Sequence, residues 1–513
     1  MIANREGLPV GWVVASLSEL VEIGRGNTDP NESPDVPFNY VALENVSKGS
    51  GKLVGFRPTC GRDIGSTKSV FCEGDVLYGK LRPYLQKALV APFDGVSVTD
   101  LISLAPRIGV NARYIHRYLL GPQHLDYITP LLAGIRMPRL RKADIERMPV
   151  PIPGSNEQRR IVAKIEALQE RSDAAKQALD AIPPLLERFR QSVLAAAFRG
   201  DLTRDWREQS PDVEPASVLL ERIRAERKTR IVEDAAEKAR AKAEEKARKA
   251  GKDWREEDDA MVLEKERGKA DARYQTPAPL ELADLPSLPP TWSWATYDEV
   301  VEVQLGQRRA PEFRDEEARP YIRSANITWS GLDLSDVKVM GFADPCRLLL
   351  KPGDVLLNEA SGSKTEVGKP ALWNGEVSGC CFQATVLRLR AYSADLLPRW
   401  IYFHCLRDAL LAEYAARCPG LGIIHLTAKL MRSWPIPVAP LEEQEELASR
   451  LTNLLDGAAS QESSLATARS RVGQLEQAVL ATAFRGGLVP QDPDDEPASN
   501  LLKRIREQRA QSV

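Results

Sequence analysis

The sequence predicts an α+β protein: two mixed α/β domains separated by long helices that pair as an antiparallel coiled coil, the whole forming a pseudo-twofold internal repeat. Three observations predict it. The second half of the chain restates the first in the same order, two ladders of apolar and small residues recur at a 3.5-residue spacing, and the stretches between the shared segments diverge widely.

A chain of 513 residues is too long for one core and suggests about three or four units. With 43% hydrophobic and 28% charged residues it has a globular composition, and no run approaches the ~18 apolar residues needed to span a bilayer. No membrane association is expected. Met1 to Leu8 lacks a basic segment followed by an apolar stretch, so the cytoplasm is the expected compartment. Seven cysteines, an odd set with no CxxC pair, and only four histidines indicate neither a zinc site nor a disulfide framework. The net charge of -2 argues against a nucleic-acid partner, but the average hides a pattern. Residues 1–155 carry an excess of basic over acidic side chains, 286–441 is near balance, and the acidic excess lies elsewhere, including Asp492, Asp494, Asp495 and Glu496.

Taken in order, residues 1–155 form the first domain, 156–200 a first spacer helix and 201–285 a helical central region with a charged linker. Residues 286–441 form the second domain, 442–487 a second spacer helix and 488–513 a repeat of the central region. The repeat, at an offset close to 286, justifies these boundaries. Leu8-Pro9 with Trp12 returns as Leu288-Pro289 with Trp292, and Gly74-Asp75-Val76-Leu77 returns as Gly353-Asp354-Val355-Leu356. The proline-rich stretch Pro149–Pro153 before Glu157-Gln158 returns as Pro435–Pro440 before Glu443-Gln444. Ala197-Phe198-Arg199-Gly200 returns as Ala483-Phe484-Arg485-Gly486, and Glu214-Pro215-Ala216-Ser217 as Glu496-Pro497-Ala498-Ser499. A shared frame with different inserts is expected when each half presents its own specificity surface on common scaffolding.

The first ladder runs through Ile161, Ile165, Leu168, Ser172, Ala175, Leu179, Ile182, Leu186, Phe189, Val193 and Ala196. The second runs through Leu447, Leu451, Leu454, Ala458, Gln461, Leu465, Ala468, Val472, Leu475, Val479 and Thr482. Each narrow seam needs a partner, and the other is the obvious one; the alternative is that each packs on its own domain as an ordinary amphipathic helix. Pro183-Pro184 should break the first helix locally. The Ala-, Glu-, Lys- and Arg-rich stretch from Glu221 to about Arg273 has no counterpart in the second half. It reads as a solvated helix or helical linker.

No Asp/Asn-Pro-Pro-Tyr/Phe motif for methylating an amino group appears, and Gly24-Arg25-Gly26 lacks the third glycine of a dinucleotide loop. Gly362 to Lys369 resembles a phosphate loop only superficially, because Pro370 follows where Ser or Thr should sit. No catalytic residue, metal site or cofactor site is expected in this chain.

On the Leu-Pro-x-x-Trp opening, the Gly-Asp-Val-Leu segments, the proline-rich stretch before Glu-Gln and the duplicated Ala-Phe-Arg-Gly, the whole chain resembles the specificity subunits of Type I restriction-modification systems. The resemblance implies two target recognition domains and binding to double-stranded DNA. It implies assembly with two methyltransferase subunits that use S-adenosylmethionine to methylate adenine, and with restriction and translocase subunits that use ATP and Mg2+. The charged insertion departs from a symmetric plan. A rod of ~35 helical residues is roughly 52 Å long, or about 15 base pairs, which implies an asymmetric bipartite target with an unread spacer.

For DNA contact the candidates in the first domain are Lys80, Arg82, Tyr84 and Lys87, after the expected strand Asp75-Val76-Leu77, with Arg136, Arg139, Arg141 and Lys142. Arginine and lysine serve both phosphate positioning and guanine readout. In the second domain the analogues are Ser361, Gly362, Ser363, Lys364, Lys369, Gln383 and His425. Phe198, Arg199, Pro215, Phe484, Arg485 and Pro497 are candidates for partner contact, their repetition fitting two copies of one partner; the alternative is that the phenylalanines close local helix packing. The competing functional class is a non-enzymatic scaffold or adaptor that binds protein or RNA through its paired domains.

Overall fold

The computed structural model describes residues 7–132, 136–250, 255–308, 318–418 and 422–511. The chain divides into two compact units: residues 1–182 with 463–513, and residues 183–462. Both are built on one plan.

In each unit the segments that open and close the domain pair as antiparallel strands. Val13–Ser16 runs against Pro149–Ile152 in unit 1, and Ser293–Thr296 against Pro435–Val438 in unit 2. The Trp and Glu of the repeated motifs lock this junction. Trp12 Nε1 donates to Glu157 at 3.0 Å and Trp292 Nε1 to Glu443 at 2.8 Å, all four residues being buried. The adjacent Gln158 and Gln444 accept from the backbone N–H of Asn111 and Leu397 and donate to Pro153 O and Ala439 O. The recurrence of these pairs in sequence is thus the recurrence of a buried polar joint.

The strand Val76–Gly79 that follows Gly74-Asp75 lies inside an antiparallel sheet ordered Val21–Ile23, Leu101–Pro106, Val76–Gly79, Ala88–Val90. Its counterpart Val355–Asn358 lies inside a sheet ordered Val301–Leu305, Val386–Ala391, Val355–Asn358, Pro370–Leu372. Alternate side chains of a strand face opposite sides, and here both sides are covered. Val76 and Tyr78 enter one core while Leu77 enters a second; Val355 and Leu357 enter one core while Leu356 enters another.

Helices Ser155–Asp180 and Ile182–Ala197 carry the first ladder, and the 43-residue helix Leu441–Ala483 carries the second. Pro183 and Pro184 fall in the first turn after the break, where a missing N–H leaves no intrahelical bond unmade. Antiparallel pairing is visible within unit 1, where Lys176 bonds Glu476 at 2.6 Å and Asp180 pairs with Arg469, and within unit 2, where Arg190 pairs with Glu462 at 2.7 Å. The seam is narrower than the ladder. Ile161, Ile165, Ser172, Leu447, Leu451, Ala458 and Leu465 are buried, but Phe189, Leu454 and Leu475 are exposed. A straight helix at 3.6 residues per turn drifts about 20° per heptad from a strict 3.5 repeat, which carries these positions off the contact face.

The compact units cut across the six linear segments expected from sequence. Helix Ala498–Gln511 completes unit 1: Ala498 N donates to Gly11 O at 2.9 Å, and Leu501, Leu502 and Ile505 are buried in its core. Helix Ala216–Lys249 does the same in unit 2, with Ala216 N on Thr291 O at 2.9 Å and Leu219, Leu220 and Ile223 buried. Each domain is therefore closed by a helix from the segment preceding it or, for the first, from the C-terminus. The charged insertion continues helix Ala216–Lys249 and returns as helix Glu256–Ala272, a hairpin tied by Lys228–Asp271, Arg267–Glu233 and Arg240–Asp259; residues 251–254 of it lie outside the described residues. Among the described residues no helix is long and apolar enough to cross a membrane.

Candidate nucleic-acid interface

In unit 1 the chain leaves strand Val76–Gly79 and is joined along its course by a segment about sixty residues away. Lys80 N donates to Asp100 O, Leu140 N to Lys80 O at 2.9 Å and Arg82 N to Pro138 O at 2.8 Å, with a bridge between Leu81 and Arg139. Two stretches chosen separately in sequence thus form one ledge. Arg82 and Gln86 both have left-handed backbones, with φ of 48° and 49°, a conformation that costs a non-glycine residue on the order of 1–2 kcal/mol. The Gln86 side chain is buried and donates to Leu120 O at 2.8 Å, anchoring the loop. Arg82 and Tyr84 project from it, exposed. Strain held by a buried anchor is the pattern of a loop shaped to present side chains.

The remaining first-unit candidates sort by their partners. Arg139 is held by Asp100 at 3.0 Å, Arg141 by Asp144 at 3.0 Å, and Lys142 lies 3.9 Å from Glu146; all three cations stay exposed. Arg136 is exposed and Lys80 half-buried. Lys87 is different. Its Nζ turns inward to donate to Leu43 O, and burial pulls its pKa below the usual lysine range, with Lys48 adding to the effect. It belongs to the loop's support and is removed from the contact surface.

Unit 2 repeats the construction with other side chains. Ala360–Ser361 pairs with Ile424–His425, placing Ala360 opposite His425 as Leu81 is opposite Arg139, and Leu426 N donates to Glu359 O at 2.7 Å. Residues 362–365 are exposed, and the turn is set by Ser363 N on Ser361 Oγ at 3.0 Å and Ser363 Oγ near Thr365 Oγ1 at 2.9 Å. His425 is exposed, its Nδ1 3.1 Å from Glu359. Gln383 is half-buried, bridged through its backbone to Gln307. Lys369 is corrected as Lys87 is: it is buried, ion-paired with Glu366 and set 5.7 Å from the centre of the Trp329 ring.

Trp329 is a residue the sequence reading missed. It is 40% exposed and donates from Nε1 to Glu366 at 2.9 Å, so it lies beside the exposed loop. Aligning Asn45-Val46-Ser47-Lys48 with Asn326-Ile327-Thr328-Trp329 would have found it as the counterpart of Lys48.

At the helix ends the phenylalanines are core residues. Phe198 meets Trp400 and His404 edge-on at 5.0 Å, and Phe484 meets Tyr114 at 5.0 Å and Tyr118 at 5.4 Å. Both are buried, so they fill local packing and offer no surface to a partner. The exposed groups there are Arg199, beside Asp201 at 2.9 Å, Arg485, Pro215 and Pro497.

Residues 9–183 match the family model described as the Type I restriction modification DNA specificity domain. Along nearly its whole length, 98% of this chain and 97% of the relative, the protein is 23% identical to the EcoKI specificity subunit of Escherichia coli strain K12. It is 23% identical to the StySPI specificity subunit of Salmonella potsdam over 99% and 98%. Residues 9–183 thus carry the Type I restriction modification DNA specificity domain, and the chain as a whole is similar to Type I specificity subunits. A further relative, the EcoDI specificity subunit of Escherichia coli, is 29% identical over 44% of this chain and 51% of its own length. The fold of the chain matches a chain from a structure of a type I restriction-modification system, studied for its assembly and conformational transition, with TM-score 0.67 and 21% identity over 94% and 99% of the two chains. It also matches the HsdS subunit of Thermoanaerobacter tengcongensis, with TM-score 0.56 and 21% identity over 95% and 100%.

Proposed function

We propose that this chain reads an asymmetric, bipartite site on double-stranded DNA, one half through each unit, and directs Type I methyltransferase and restriction subunits to it. The observation that carries the reading is the pair of equivalent ledges, Leu81 opposite Arg139 and Ala360 opposite His425, built on one frame and furnished with unrelated side chains. A common frame fixes where bases are met; different side chains make the two half-sites different. In unit 1 the readers are Lys80, Arg82, Tyr84, Arg136, Arg139, Arg141 and Lys142, with guanine edges and phosphates as their natural ligands. In unit 2 they are Ser361, Ser363, Lys364, Gln383 and His425, where small residues admit close approach and Gln383 suits adenine.

Chemistry resides in the partners: adenine methylation from S-adenosylmethionine in two methyltransferase subunits, and ATP- and Mg2+-dependent translocation and cleavage in the restriction subunits. The repeated exposed groups Arg199 with Pro215 and Arg485 with Pro497 suit two copies of one methyltransferase subunit. Such a complex works in the cytoplasm.

Co-expression with the cognate methyltransferase subunit, followed by mapping of methylated adenines, tests this. The expected result is one motif of two unlike parts with a fixed gap. Arg82→Ala should relax only the part read by unit 1, by about 10- to 100-fold in discrimination. An intact complex that methylates without any motif would favour the scaffold reading.

A further inference from the structure

The helical hairpin of unit 2 has no counterpart in unit 1 and no role in the reading above, yet it is firmly mounted. Arg227 donates to Asp298 through both its O and Oδ2, Arg224 pairs with Glu299, and Arg222 with Asp395 at 2.8 Å. Beyond Arg230, which reaches Ala391 O and lies 5.9 Å from the Tyr392 ring, the first helix runs on for a further length of roughly 28 Å.

That outer portion gathers its four lysines on one side. Lys238, Lys242, Lys246 and Lys249 follow steps of four, four and three, which a helix gathers onto one face. All four are exposed, and among the described residues no carboxylate pairs with the first three; Lys249 pairs with Glu245. Arg240 points the other way, into the hairpin, to Asp259. The lysine face is continuous with a cleft of about 690 Å³ between the hairpin and the domain body, to which Arg230 and Lys238 contribute from the hairpin and Arg347 and Arg432 from the domain. Of the acids along it, Glu302 is taken by Arg388 at 2.9 Å and Asp344 caps a helix by accepting from Arg347 N, leaving Asp234 at the near end. The far wall includes Gln307, bridged to Gln383, one of the residues proposed to read the second half-site.

We propose that this lysine face is a sequence-independent arm that binds the phosphates of duplex DNA beside the half-site read by unit 2. The inference rests on the DNA-reading function proposed above. Contacts from lysine to phosphate position a duplex without carrying sequence information, and lysine is depleted from protein–protein interfaces. A surface for a partner bound twice would also recur in both halves, which the hairpin does not.

The test uses the full complex with its methyltransferase subunits, in which Lys238, Lys242, Lys246 and Lys249 are all changed to Gln or, as a control, all to Arg. The probe is a long duplex carrying the mapped motif, and the same duplex trimmed at the outer edge of the second half-site. On the long duplex the Gln variant should bind about tenfold or more weakly at low salt. The slope of log Kd against log salt should fall by about 3, while the motif stays unchanged. The Arg variant should retain the wild-type slope, and trimming should abolish the difference. A Gln variant with the wild-type slope on the long duplex overturns the proposal, as does one that instead loses its methyltransferase subunits, which would make the face a protein contact. If the wild-type complex itself fails to discriminate the motif, the failure belongs to the DNA-reading function.

Discussion

Two histidines of unit 1 are buried as neutral groups. His116 lies with Nε2 3.1 Å from Ala88 O, and His124 with Nε2 2.8 Å from the Tyr78 hydroxyl; burial pulls both pKa values down to about 4. In the unfolded chain each would protonate near 6.5, so below that pH the unfolded state binds more protons and stability falls with pH. The contribution is complete above 6.5 and is lost progressively toward 4, which at pH 5 amounts to roughly 2 kcal/mol for each histidine. Glu157, whose carboxyl burial holds above the usual range, acts in the opposite sense. His116→Gln should therefore reduce by about 2 kcal/mol the stability lost between pH 7 and pH 5 in urea denaturation; a loss equal to that of the wild type would mean that His116 protonates freely in the fold. Such residues also mark how far a side chain's place can be read from sequence. Lys80, Arg82 and Arg139 were identifiable as cations near a strand end, but Lys87 and Lys369 looked the same. What separates them is a carbonyl at Leu43 and a carboxylate and indole at Glu366 and Trp329, neighbours that only the folded loops bring together.

The repeated Gly-Asp-Val-Leu element was legible as a strand because its apolar run is bounded by Gly-Asp, and it is a central strand in both sheets. The work of its aspartate was not legible. Asp75 accepts from Arg25 at 2.7 and 2.9 Å, from Cys72 N and from Ser103; burial pushes its carboxyl up, but these donors together hold it below the usual range. Asp354 likewise accepts from Arg390 at 2.6 and 2.7 Å and from Lys351 N at 2.7 Å. The arginines come from different strands of the plan, Arg25 after the first strand of its sheet and Arg390 from the second in spatial order, so no alignment of the halves pairs them. Asp354 is buried and Arg390 nearly so. Asp354→Ala leaves a buried guanidinium uncompensated and should destabilise unit 2 by about 3–5 kcal/mol. Asp354→Ala/Arg390→Met should recover part of that in the same denaturation measurement; a single variant as stable as the wild type would show that water replaces the carboxylate at no cost.

For the whole molecule, the duplication was visible in sequence as order, but order along the chain does not say which pieces share a core. The match of Pro215 with Pro497 suggested that residues 488–513 merely repeat the central region. The structure makes them part of unit 1, because helix Ala498–Gln511 presents Leu501, Leu502 and Ile505 to the same core that holds Trp12, Leu17 and Leu20. The C-terminus is thus as much a part of the first reading unit as residues 7–155. Removing residues 488–513 exposes that core and withdraws three large aliphatic side chains, worth roughly 5–8 kcal/mol together, against a total of about 5–15 kcal/mol for an ordinary domain. Truncation should therefore leave unit 1 at the edge of unfolding while unit 2, whose cores among the described residues hold no side chain of this segment, keeps its melting transition. Limited proteolysis should cleave within residues 7–132 and spare 318–418, and Leu501→Asp should reproduce the pattern in a full-length chain. The methylated motif would lose the half-site read by unit 1. Equal protection of both units after truncation would show that the helix is an appendage and that residues 1–182 hold their fold without it.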